Sequence, residues 1–232
     1  MKLLKRLKNS SQKNFKPLKG KRLLVNAGPT QENIDPVRFI SNHSSGKMGI
    51  AIADAAYESG AEVELVLGPV AIQPKNKKIR VTRVVSAASM AEACISLFPG
   101  CDIAILAAAV ADFTPESFSE KKIKKGEGEF VIKLKPTTDI AAELGKFKRE
   151  GQIIAGFALE TDNELENARE KLLRKNMDII VLNSLRDEGA GFGHDTNRIT
   201  IIDRYNNIDK FGLKSKEEAA RDILDKIIEI TG

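Results

Sequence analysis

Between positions 41 and 49 the chain reads Ser-Asn-His-Ser-Ser-Gly-Lys-Met-Gly, a run of small polar residues that opens a helical period. It imitates a Walker A loop, but Ser41 replaces the first glycine and Met48 replaces the magnesium-binding Ser/Thr, which disfavours a P-loop NTPase. What remains is a loop whose backbone N–H groups, with the Ser44 and Ser45 hydroxyls, suit an anion such as phosphate. A plain helix cap by Ser45 is the alternative. Lysines concentrate at two further places. Lys121, Lys122, Lys124 and Lys125 have little acidic company, which favours a phosphate-closing flap over a solvated face. Lys171 and Lys175 stand four residues apart on an expected helix and share a face, either toward a ligand or in solvated pairs with Glu164, Glu166 and Glu170. Gly156-Phe157-Ala158 ends an expected strand, where glycine admits a nucleotide close to the backbone and the aromatic ring faces a base; a buried strand phenylalanine is the competing reading.

These residues need a scaffold. The 232 residues, 42% hydrophobic and 30% charged, suit one globular domain with a full core. Short β-branched runs alternate with helical periods, the pattern of a parallel sheet with crossover helices. The expected strands are 22–27, 62–67, 79–84, 102–108, 153–158 and 179–182; the expected helices are 46–59, 89–98, 139–147 and 163–176. A last amphipathic helix spans 215–230, with Ser215 as cap and Glu218 three residues on. The fold class is therefore α/β, a Rossmann-like doubly wound, mainly parallel sheet whose ligands bind beyond the carboxyl ends of the strands. Segments 121–134 and 198–211 read as strand or hairpin material, the second turning at Asn206-Asn207, and add a small antiparallel excursion beside the main sheet.

Charge and cysteines limit the function classes. Nine of the 37 Lys/Arg fall in residues 1–22, which hold no acid, so the net charge of +5 belongs to a tail and the remainder is acidic. Residues 1–20 read as a basic tail or linker and 21–232 as the domain; binding of nucleic acid by the tail is the weaker reading. The longest apolar run, 103–111, is far short of the roughly 20 residues of a membrane helix, and the chain is expected to be soluble and cytoplasmic. Cys94 and Cys101 lack zinc or redox spacing and read as two buried thiols. The segment after the first strand carries only Gly28 of a dinucleotide fingerprint and follows it with Pro29, which opposes an NAD(P)-dependent oxidoreductase.

Taken together, Gly28-Pro29-Thr30, the run from Ile34 through Asp35-Pro36-Val37-Arg38 to Gly49, Ala107 to Phe113, Lys122-Ile123-Lys124-Lys125, Gly156 to Thr161, Arg174 to Asp178 and Gly191-Phe192 closely resemble the phosphopantothenoylcysteine synthetase (phosphopantothenate–cysteine ligase) family, in its bacterial CTP-dependent form and in its motif order. That resemblance implies a Rossmann-like homodimer joining 4′-phosphopantothenate to L-cysteine through an acyl-cytidylate, with Mg²⁺ as cofactor and CTP as cosubstrate. It places Asn42 at the acyl oxyanion and Lys171 at the triphosphate as the catalytic residues. Gly28, Thr30, Ser44, Ser45, Gly46, Lys47, Met48, Asp112 and Phe113 are expected to bind the acyl substrate. Lys122, Lys124, Lys125, Gly156, Phe157, Ala158, Glu160, Lys171, Lys175 and Phe192 are expected to bind the nucleotide, with Glu160 and Asp162 as metal candidates. The family also occurs as the C-terminal half of a protein whose other half is a flavin-dependent phosphopantothenoylcysteine decarboxylase. Association with or fusion to such a partner is therefore expected, with no flavin, nucleic acid or membrane bound by this chain.

Overall fold

A computed structural model describes residues 16–126, 129–160, 162–184 and 194–231. Eight strands form the main sheet: β1 (Arg22–Ala27), β4 (Glu62–Leu67), β5 (Arg80–Arg83), β6 (Ile103–Leu106), β9 (Ile153–Glu160), β10 (Ile179–Ser184), β12 (Ile199–Asp203) and β13 (Ile208–Lys210). Three two-stranded ribbons complete the strands: β2 (Gln31–Asn33) with β3 (Phe39–Ser41), β7 (Phe113–Pro115) with β8 (Leu134–Pro136), and β11 (Thr196–Asn197) with β14 (Lys214–Ser215). The helices are α1 (Lys47–Glu58), α2 (Ala87–Leu97), α3 (Ile140–Phe147), α4 (Glu164–Arg174) and α5 (Lys216–Thr231).

The main sheet runs β13-β12-β10-β9-β6-β1-β4-β5. From β10 to β5 all pairings are parallel, and β12 and β13 are antiparallel. The parallel part has the doubly wound order, in which the chain starts at β1, moves out through β4 and β5, then returns to add β6, β9 and β10 on the other side. Strand alternation sends Leu23, Val25 and Ala27 into one core and Leu24 into the other. The first core holds α1 and α5 through Ile50, Ile52, Ala53, Ala220, Ile223 and Ile227. The second holds α2, α3 and α4 through Met90, Cys94, Leu144, Ala168 and Leu172. Burial pushes the thiol of Cys94 up to about 12 and that of Cys101 to about 11, so both remain protonated at neutral pH.

Three local outcomes differ from the sequence expectation. Hairpin β12–β13 turns at Asn206 as expected, with Asp203 accepting from Tyr205 N–H and Asn207 N–H, but it extends the main sheet instead of standing beside it. Its isoleucines at 199, 201 and 202 are buried, so the hairpin needs the apolar sheet edge that β10 supplies. Within 121–134 only Leu134 enters a strand among the described residues, because Ile123 gives its N–H and carbonyl to Asp35 and Arg38 instead of to a neighbouring strand. Finally, Leu18 is 1% exposed and its N–H donates to Ser59 O, so the packed domain includes a residue of the expected linker. The expected capping box of α5 forms: Glu218 Oε2 accepts from Ser215 N–H, and Glu218 N–H donates to Ser215 Oγ.

Candidate active site

β1 and β6 lie side by side, but their chains leave in opposite directions, which opens a crevice beyond their carboxyl ends. Gly28 turns the chain there with φ +85°, and its carbonyl accepts from Ala109 N–H at 2.9 Å. Asn26 Oδ1 accepts from Ala108 N–H at 2.9 Å, and Thr30 Oγ1 accepts from Ala111 N–H at 3.0 Å. The small residues 107–111 are thereby fixed as a wall with two sides. Thr30 is fully buried, and neither it nor Gly28 lines a ligand cavity. Both residues hydrogen-bond the wall from behind, Gly28 at Ala109 and Thr30 at Ala111.

On one side is a cavity of about 310 Å³ lined by Asn42, Ser44, Ser45, Gly46, Lys47 and Met48, by the 107–110 wall, and by Asn183, Asn197 and Lys216. Asn42 Nδ2 donates to Ala109 O at 2.9 Å, which uses one of its two hydrogens and fixes the amide plane. The N-cap of α1 is Gly46 in the left-handed region, and no side chain caps the helix; Ser44 Oγ accepts from Gly46 N–H instead. The alternative reading, a helix cap by Ser45, is therefore not realised. An α-helix leaves its first N–H groups without intrahelical partners, and here the positive end of the dipole opens on the cavity. Lys47 adds charge and pairs with the exposed Asp195 at 2.5 Å.

Lys216 was not anticipated. It is 6% exposed, it lines this cavity, and its ammonium donates to the His194 carbonyl. Burial, then the neighbouring Lys47, push its pKa below the ordinary lysine value, against the pull of Asp195. A signal existed in the sequence: a lysine directly after the Ser215 cap sits where the helix dipole favours acids.

On the other side of the wall is a cavity of about 410 Å³ lined by Asn26, Asp112, residues 137–141, residues 156–159, Lys171, Lys175 and Met177. Lys175 pairs with Asp139 at 2.8 Å, and Asp139 also caps α3 by accepting from Ala142 N–H. Burial works against the Asp139 carboxylate, but Lys175 and the Ala142 N–H prevail and hold its pKa below the usual value. Gly156 has a packing reason of its own, since a Cβ there would stand 2.5 Å from Met177 Sδ. Ala108, Val110, Asp112, Phe157, Ala158 and Leu159 line both cavities, so the two spaces adjoin. Residues 137–139 went unnoticed in the sequence because they are positioned by Asp112 O, which accepts from Thr137 N–H, a contact of no local pattern.

Other expected residues stand apart. Phe113 is half exposed and outside both linings. Lys122, Lys124 and Lys125 are exposed and line neither cavity, as is also true of Asp162. Among the described residues no cluster of three His, Cys, Asp or Glu is placed to hold a metal ion. Phe192 and the Glu160 side chain lie outside the described residues. No described helix is long and apolar enough to cross a membrane.

Comparison with known proteins matches residues 18–230 to the family described as DNA/pantothenate metabolism flavoprotein C-terminal domain. The chain is 44% identical over 224 residues to the coenzyme A biosynthesis bifunctional protein CoaBC of Bacillus subtilis (strain 168), covering 97% of this chain and 55% of that protein. It is 66% identical over 215 residues to a protein of an unknown prokaryotic organism named cysteine/cysteine sulfinic acid decarboxylase, covering 93% of this chain and 60% of that protein. The chain thus spans roughly half of the curated relatives it matches. Among solved structures, the crystal structure of the C-terminal domain of CoaBC superposes with a TM-score of 0.79 at 41% identity, covering 93% of this chain and 97% of that one.

Proposed function

Because this chain belongs to the DNA/pantothenate metabolism flavoprotein C-terminal domain family, we propose that it is the phosphopantothenate–cysteine ligase part of a coenzyme A biosynthetic protein. It joins 4′-phosphopantothenate to L-cysteine at the expense of CTP and gives 4′-phosphopantothenoylcysteine, CMP and pyrophosphate. The observation that carries this reading is the pair of adjoining cavities, each with its own provision for negative charge, which meet at Asp112 and Phe157. A carboxylate and a triphosphate that must react need such an arrangement, since two anions in one undivided space repel.

In the first step a carboxylate oxygen of the acyl substrate attacks the α-phosphorus of CTP, the bond to the bridging oxygen breaks and pyrophosphate leaves. Lys171, on the last turn of α4, and Lys175, at its C-cap, favour the charge on the departing phosphates. The acyl substrate's own phosphate sits at the uncapped start of α1 with Ser44, Ser45, Lys47 and Lys216. In the second step the cysteine amine attacks the acyl carbon and CMP leaves with the acyl C–O bond. The free Nδ2 hydrogen of Asn42 donates to the oxygen that gains charge, and the amine proton passes to solvent.

Mg²⁺ fits this site as a cation that arrives on the triphosphate, because the described residues offer no cage and Mg²⁺ is usually held by one or two carboxylates plus phosphates. Asp112 is the carboxylate that lines both cavities. The ion supplies charge neutralisation of the phosphates when bound. The protein acts in the cytoplasm as a homodimer, which the exposed Val37, Phe39, Phe118, Phe130 and Val131 on and beside ribbons β2–β3 and β7–β8 support. It works in association with or fused to a flavin-dependent phosphopantothenoylcysteine decarboxylase, a reading that the longer, bifunctional relatives support.

The test is a coupled assay of pyrophosphate release with CTP, ATP, GTP or UTP and 4′-phosphopantothenate, with and without cysteine, and mass analysis of the amide. Cysteine-dependent turnover with CTP foremost supports the reading. Release of carbon dioxide from cysteine alone, without nucleotide consumption, would favour a decarboxylase instead.

A further inference from the structure

The run Asp35-Pro36-Val37-Arg38 lies in the turn between β2 and β3, outside both cavities, and the reaction above gives it no task. Yet the Asp35 side chain is fully buried and saturated with donors. Its two oxygens divide their work. Oδ1 accepts from Val37 N–H and Arg38 N–H, both at 2.9 Å, which builds the turn. Oδ2 accepts from Arg38 Nε and Nη2 and from Ile123 N–H at 3.1 Å.

Arg38 Nη2 also donates to Ile123 O at 3.0 Å, so Asp35 and Arg38 together grip both polar atoms of a residue in the middle of the lysine segment. The Arg38 guanidinium stands 5.6 Å from the centre of the Phe130 ring, and Ile34 O accepts from Ser119 N–H at 3.1 Å. Both limbs of the excursion between β7 and β8 are therefore held by this one turn.

The excursion starts just after Asp112 and returns at residues 137–139, and these are walls of the 410 Å³ cavity. We infer that Asp35 is a positioning residue for use of the nucleotide: with Arg38 it clamps the excursion at Ile123 and so sets how far the exposed Lys122, Lys124 and Lys125 can travel relative to the cavity from whose walls the excursion springs. The inference rests on the reading of that cavity as the nucleotide site. Hydrogen bonds to a charged group are strong enough that losing those on Oδ2 shifts a local open–closed balance by about tenfold or more.

Asp35→Asn separates the two tasks of this side chain, because its remaining oxygen still serves Val37 and Arg38 while an NH₂ group replaces the oxygen facing Ile123. In the variant, limited trypsin cleavage after Lys121 to Lys125 is expected to rise about tenfold, since cleavage follows the open population, with cleavage elsewhere in the chain unchanged. The KM for CTP is expected to rise severalfold with the KM for cysteine unmoved. Ile123→Pro, which removes the N–H that Oδ2 receives and also fixes φ at that residue, should move both readouts in the same direction, with cleavage scored after Lys121, Lys124 and Lys125 because trypsin does not cut a Lys–Pro bond. It carries the test if Asp35→Asn lowers the unfolding temperature of the whole chain. Combined, the two changes should do less than the sum of their separate effects. Unchanged cleavage in both variants would overturn the clamp, and raised cleavage with an unmoved CTP KM would overturn its role in nucleotide use. Cleavage is measured without substrate, so a chain with no ligase activity would refute the ligase reading while leaving the clamp separately measurable.

Discussion

Lys171 and Asn42 face different cavities, and the proposed reaction gives them different half-reactions. Lys171→Gln keeps a hydrogen-bonding side chain but removes its charge, so release of pyrophosphate in the first half-reaction should slow by about 2–4 kcal/mol of barrier. Asn42→Asp puts a carboxylate where an oxyanion develops, so that variant should still release pyrophosphate but build up acyl-cytidylate and consume it slowly after cysteine is added. Quenched-flow product analysis distinguishes the two; equal loss of both steps in Asn42→Asp would make Asn42 a residue of substrate placement only. At this scale the sequence was readable where one local run supplies one cavity wall, as Asn42 and residues 44–48 do. It was silent on Asn183 and Asn197 and marked Lys216 only by its place after the Ser215 cap; all three reach the same cavity from strand ends and a helix start more than a hundred residues away. It misled on Thr30, whose hydroxyl is spent on Ala111 N–H, because a polar residue beside a turn glycine looks the same whether it holds a ligand or a wall.

Among the elements, α1 decides how the anion-binding loop is presented. A Cβ on Gly49 would meet Ala27 Cβ at 2.4 Å and Asn26 O at 3.0 Å, so the helix lies directly against β1. Gly49→Ala should therefore cost about 1–3 kcal/mol of stability by overpacking, measurable as a shift of the urea midpoint, with weaker binding of the acyl substrate as α1 moves off the strand. Helix α3 offers a pH test. The Asp139 pKa is lowered in the folded chain, so its charge contributes stability above the ordinary carboxylate value of 3.8, and that contribution is lost as pH falls through the lower folded value. Asp139→Asn keeps a capping oxygen but not the charge facing Lys175. Wild type should exceed it by at most about 1 kcal/mol at pH 7, as expected for a partly exposed pair. The gap should hold between pH 6 and 8 and shrink as the pH falls below 3.8 toward the lower folded value; a gap independent of pH would contradict the assigned cause. Most parallel strands were legible because each contains a short apolar run, as Ile103–Leu106 does, whereas the exposed edge strand Arg80–Arg83 was legible only from its β-branched Val81 and Thr82. The 121–134 segment was not, because its shape is set by Asp35 and Arg38 across more than eighty residues.

For the whole molecule, the alternation of elements foretold a doubly wound sheet, and the solved relative at 41% identity has the same fold. Strand order and the docking of β12–β13 on β10 depend on which edges remain open, which no local pattern records. The same holds for the apolar surface on ribbons β2–β3 and β7–β8. Phe39→Asp, which puts a charge on that surface, should convert the proposed dimer to monomers in sedimentation velocity with the far-ultraviolet circular dichroism unchanged. An unaltered dimer would place the contact elsewhere.

The central claim, that two adjoining cavities couple nucleotide cleavage to acyl activation before cysteine enters, is tested most directly by a single turnover without cysteine. Enzyme in excess over CTP labelled at the α-phosphate is mixed with 4′-phosphopantothenate and Mg²⁺, then quenched and separated. The account predicts one pyrophosphate released per labelled acyl-cytidylate formed, and conversion of that adduct to CMP and 4′-phosphopantothenoylcysteine when cysteine is added. Release of inorganic phosphate with a phosphorylated acyl group, or no reaction until cysteine is present, would contradict it.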